Sequence, residues 1–125
     1  MKYELTEVYK GIQTVNDHIE QGKLWATSPA TLSEQLMRLS SYKNYLGGYL
    51  ADITIKYRNQ QRNIYLDLRA EGISPNAAKI DTDFRTKDLK GEKEVLEINY
   101  KTVRDHCEAI RTHISALKNE YQQTP

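Results

Sequence analysis

Apolar residues return every third or fourth position along almost the whole chain, and that period belongs to helices rather than strands. Leu5, Val8, Ile12, Val15 and Ile19 alternate spacings of three and four, a narrow coiled-coil seam on a first helix expected from about Tyr3 to Gln21. Gly22 then supplies a left-handed stop. In the connector KLWATSPA, Ser28-Pro29 reads as a cap and a first helical residue, while Thr31 with Glu34 offers a capping box instead. Trp25, in that connector, is expected to plug the end of a bundle.

The second helix is expected from about 29 to 71, roughly 40 residues and about 60 Å at the usual helical rise. Leu32, Leu36, Leu39, Leu46, Leu50, Ile53, Tyr57, Ile64 and Leu68 lie on or near its seam, with Lys43 and Gln60 filling two polar places. Gly47-Gly48 sits in its middle, where each glycine costs about 1 kcal/mol against alanine; close approach of a neighbouring helix, or a kink, is the expected reason. Gly72-Ile73-Ser74-Pro75 is the clearest punctuation: a stop, a cap and a first helical residue in four positions. So short a turn forces an antiparallel hairpin.

A third helix is expected from about 75 to 122. Leu96, Tyr100, Val103, Cys107, Ile110, Ile114, Leu117 and Tyr121 keep a regular register that Ile80, Phe84 and Leu89 do not join, so a kink or break is expected near Lys90-Gly91. The fold predicted is all-α and a single domain over 1–125. It is a long, coiled-coil-like antiparallel hairpin with a shorter N-terminal helix packed on it, giving a three-helix bundle at one end. The other end is then a two-helix projection, which buries little. Ile55 and Leu66, eleven residues apart, share a face of that projection away from its seam. A second chain or a partner is expected to cover it, and homo-oligomerisation is the simplest arrangement.

Composition narrows the function classes. A mean hydropathy of −0.75 suits thin helical rods better than a thick core. A net charge of +1 supplies no global attraction to nucleic acid or anionic membrane. One cysteine excludes an internal disulfide framework, and no apolar run resembles a signal peptide or a membrane span. Those features point to the cytoplasm and away from the membrane.

The residues that carry chemistry elsewhere do not assemble into a site here. His106 and His113 are two turns apart, about 10 Å along the axis, too far for one ion; Cys107 occupies the seam, where a thiol behaves as a small hydrophobe. Asp81, Asp83 and Asp88 resemble the start of a calcium loop, but Arg85 and Thr86 stand where that loop needs a ligand and a glycine. No catalytic residue, metal or cofactor is expected, and no enzyme.

Two helical stripes remain. Arg58, Arg62, Tyr65 and Arg69 fall on one face of the second helix with no acid among them, a pattern that suits phosphates and a stacked base, or an acidic protein partner. Against this, the hairpin brings Asp81, Asp83 and Asp88 near enough to neutralise the arginines. Tyr42, Tyr45 and Tyr49, between Arg38 and Lys56, form the second stripe. Tyrosines of this kind anchor interfaces, or cover neighbouring helices. Tyr42, Tyr45, Tyr49, Ile55 and Leu66 together are the candidate protein interface.

The segments TLSEQLMRLSSYKNYL, ADITIKYRNQQRNIYLDL and ISALKNEYQ resemble a loose group of small helical proteins of tailed phages, over about Thr31 to Tyr121. The resemblance implies an accessory role in DNA replication or recombination in the host cytoplasm, and the missing catalytic residues make that role a non-enzymatic one. The surplus apolar surface at the hairpin tip adds the expectation of an oligomeric helical module that binds another macromolecule. The alternatives are nucleic-acid binding through the arginine stripe and inhibition of a host defence protein.

Overall fold

Caps decide where each helix starts and stops. The computed structural model describes residues 4–20, 22 and 28–123, with the side chains of 20 and 121–123 excepted. Trp25 and the side chain of Tyr121 therefore lie outside the described residues. Among those residues the chain forms four helices and no strand: α1 (Leu5–Glu20), α2 (Pro29–Ala70), α3 (Pro75–Arg85) and α4 (Lys87–Gln123).

Ser28 starts α2, its hydroxyl accepting the Thr31 amide at 3.3 Å, with Pro29 as first helical residue. Gly72 ends α2 at φ +88°, and the amides of Gly72 and Ile73 reach back to the carbonyls of Arg69 and Leu68 at 3.0 and 3.2 Å. That pair of bonds is a Schellman closure, which needs the left-handed residue between. Ser74 accepts the Ala77 amide at 3.4 Å and Pro75 follows at the first position of α3.

Two compact units divide the chain: one is Met1–Gly47 with Asn99–Pro125, the other Gly48–Ile98. The first is a three-helix bundle of α1, the opening of α2 and the later part of α4. Its core is Val8, Ile12 and Val15 from α1, Leu32, Leu39 and Leu46 from α2, and Val103, Cys107, Ile110 and Ile114 from α4. Each such side chain, wholly removed from water, contributes roughly 1.5–3 kcal/mol. Ser40 lies opposite Cys107 and Gly47 opposite Tyr100. One heptad forward on α2 is thus one heptad back on α4, which fixes an antiparallel pairing. Gly11 of α1 lies under the ring of Tyr42 of α2, so closely that a Cβ there would overlap it.

The second unit is a hairpin of the later α2 against α3 and the opening of α4. Here the expected third helix is corrected to two. The break falls at Thr86, not at Lys90-Gly91, and Gly91 is helical. Thr86 takes φ −104° and ψ 6°, while its hydroxyl donates to the Thr82 carbonyl at 2.8 Å and Thr82 donates to the Ala78 carbonyl at 2.7 Å. Successive threonines bonded back in this way bend a helix. The bonds also satisfy hydroxyls that would otherwise be costly to bury.

Those threonines change which face is inside. Ala78, Thr82 and Thr86 are buried, one turn apart, whereas Ile80 and Phe84 are 69% and 65% exposed. Small side chains hold the inner row, so the two large apolar ones point outward. The polar place on the α2 seam is also corrected: Gln60 is exposed, and Gln61 is the half-buried residue, bonded to the Tyr57 hydroxyl at 2.8 Å and to Asp83 at 3.3 Å. Of the Gly47-Gly48 pair, Gly47 meets the Tyr100 ring and Gly48 faces open space.

Candidate interaction surface

Every residue of α2 advances the helix by about 100°. Ile55, Arg58, Arg62, Leu66 and Arg69 therefore fall within an arc of about 80°. The side opposite carries half-buried Tyr57, Gln61 and Ile64 and buried Leu68. The outward arc is open: Ile55 and Leu66 are 57% and 55% exposed, and Arg58, Arg62 and Arg69 are all exposed. Tyr65, predicted in the same stripe, is half-buried at its margin.

The acids expected to neutralise this stripe do not do so. Asp81 pairs with Arg85 of its own helix at 3.1 Å, and Asp83 accepts from Gln61. Asp88 makes no ion pair among the described residues, and neither do Arg58 and Arg62. Arg69 instead donates to the Ile73 carbonyl at 2.8 Å, bracing the turn after α2. The reason is register: α3 turns Ala78, Thr82 and Thr86 inward, and Asp81 lies within reach of Arg85 one turn on.

The tyrosine stripe is divided. Tyr42 and Tyr45 are half-buried in the first unit, with Tyr42 laid on Gly11 of α1, so the ring covers a neighbouring helix. Tyr49 belongs to the second unit and is 37% exposed. Residue patterning alone did not pick out the outward pair Ile80 and Phe84. Its signal was present as Ala78, Thr82 and Thr86, a second helical row of small residues. Lys87 lies over the Phe84 ring at 4.4 Å from its centroid, screening one side of it.

Little else invites a ligand. A shallow groove in the second unit is lined by Tyr57, Asp83, Lys87, Lys90, Gly91 and Glu94, whose charges balance. No group of three His, Cys, Asp or Glu residues among those described could hold a metal ion. Cys107 is buried, with the Ser40 hydroxyl 4.0 Å from its sulfur. Its neighbour His106 has a buried Nδ1 without a hydrogen-bond partner. Burial holds that imidazole below its ordinary pKa, and the Asp105 carboxylate pulls partly the other way.

No described helix is long and apolar enough to cross a membrane. Comparison with protein-family models, with curated proteins and with solved structures finds no match for this chain. The fold and its surface are what define its class: an all-α protein of helical bundle and hairpin whose outward faces carry apolar residues.

Proposed function

We propose that this chain is a non-enzymatic helical module that self-associates and binds another protein, in the setting of DNA replication or recombination that its resemblance implies. The observation that carries the reading is Ile80 and Phe84, 69% and 65% exposed on the outward side of α3 and one turn apart. Single exposed apolar residues are ordinary. A large pair on one face, while alanine and threonine occupy the interior, leaves apolar surface that association would remove from water. The test is sedimentation at tens of micromolar. The wild type is expected as a dimer or larger, and Phe84→Asp as a monomer of unchanged helical circular dichroism. A wild type that sediments only as monomer overturns self-association.

A second reading, nucleic-acid binding through Arg58, Arg62, Tyr65 and Arg69, draws support from the guanidinium groups of Arg58 and Arg62, which have no ion pair among the described residues. It expects affinity that falls steeply with salt and weakens in Arg62→Ala. Titration of labelled single-stranded and duplex DNA at two salt concentrations decides it, and salt-insensitive or absent binding removes it.

A further inference from the structure

We propose that the outward face of α2 from Ile55 to Arg69 is a docking site for an acidic amphipathic helix of a partner protein. The inference rests on the protein-binding half of the reading above and concerns a different helix from the one assigned to self-association.

Charge is the first argument. Between Asp52 and Asp67 the chain holds no carboxylate, and Arg58 and Arg62 stand on this face. The acids of α3 are turned to other partners, Asp81 to Arg85 and Asp83 to Gln61. Neither Arg58 nor Arg62 makes an ion pair among the described residues, so this face presents positive charge that an acidic partner can neutralise. Arg58 and Arg62 stand one turn apart, about 6 Å along the axis. Carboxylates one turn apart on an opposing helix match that pitch, and arginine binds carboxylate through paired N–H donors.

The apolar residues choose among anionic partners. Ile55 and Leu66 flank Arg62 on the same arc, and both are more than half exposed. Aliphatic side chains offer nothing for bases to stack on, and the one aromatic of the stripe, Tyr65, is half-buried at its edge. A partner that places carboxylates around an apolar row fits all five residues; a phosphate backbone fits only the arginines.

The full chain is titrated into a labelled synthetic peptide of about 18 residues, long enough to hold some helix, with leucine at alternating spacings of three and four and glutamate on the flanks. Saturable binding that weakens with salt is expected. Arg62→Glu and Ile55→Asp, both at exposed positions, should each weaken it about tenfold, the equivalent of roughly 1.4 kcal/mol. Phe84→Asp should leave it unchanged, so failure of self-association and failure of this site are read separately. Absence of saturable binding overturns the proposal. So does equal binding of a lysine-for-glutamate peptide, or tighter binding of single-stranded or duplex DNA than of the acidic peptide.

Discussion

Gly11 lies beneath the Tyr42 ring, so a methyl group added there has no room unless the ring leaves. Alanine is the better helix former by about 1 kcal/mol, yet Gly11→Ala should destabilise the bundle by about 1 kcal/mol, because displacing the ring forfeits packing. In a Tyr42→Ala background the same change should become stabilising, and denaturant titration of the four proteins measures that reversal. Gly48, with nothing near its missing Cβ, gives the control: Gly48→Ala should stabilise by about 0.5–1 kcal/mol. His106 sets a dependence on acid. Burial lowers its pKa from 6.5, so the unfolded chain is the better proton binder. The neutral form's contribution is whole above that unfolded value, drains as pH falls through it, and is gone below the folded value. Thermal melts from about pH 8 down to about pH 5 should therefore fall more steeply for the wild type than for His106→Gln. Parallel slopes would exclude the histidine as a source.

At the scale of the element, the start of α2 and the turn after it were legible, and the break and burial within the expected third helix were not. Ser28-Pro29 and Gly72-Ile73-Ser74-Pro75 do locally what their side chains dictate, since a cap is decided within a few residues. Gly72→Ala, at φ +88° in open space, should cost about 1 kcal/mol through backbone conformation alone. The seam of α1 was equally plain, because Val8, Ile12 and Val15 are large as well as periodic. In α3 size and burial part company. Hydrophobicity points to Ile80 and Phe84, and packing takes Ala78, Thr82 and Thr86, whose hydroxyls are already bonded to their own helix. The arginine stripe on α2 could be read from spacing, but its lack of internal partners could not. That depended on the rotation of α3, which only packing sets. The inverted order has a measurable consequence: Ala78→Leu should destabilise by about 1–3 kcal/mol through overpacking. Ile80→Gln should stay within about 0.5 kcal/mol in the monomer. Denaturant unfolding that ranked the two the other way would return Ile80 to the core.

For the whole molecule, apolar burial is distributed unevenly between two units that share two helices, α2 and α4. The bundle holds Val8, Ile12, Val15, Leu32, Leu39, Leu46, Val103, Cys107, Ile110 and Ile114 among the described residues, whereas the hairpin holds Leu68, Ala78 and Leu96 beside two threonines. Local stability follows buried apolar contact, and an α-helical pair with a core of that size is marginal by itself. α2 runs through both units, its passage from one to the other falling at Gly47-Gly48. Hydrogen exchange should therefore be uneven along this one helix. Amides from about Leu32 to Leu46 should exchange slowly, while those from Ala51 to Arg69 should open at lower free energy. Saturation with an acidic helical peptide should slow the second set, since a ligand that binds the folded form alone stabilises it by mass action. It should leave the first set unmoved unless opening of the hairpin is coupled to opening of the bundle. Uniform protection along α2 in the free protein would mean that the thin core of the hairpin is stabilised by something other than its own packing, and self-association through Ile80 and Phe84 is the source that dilution would then expose.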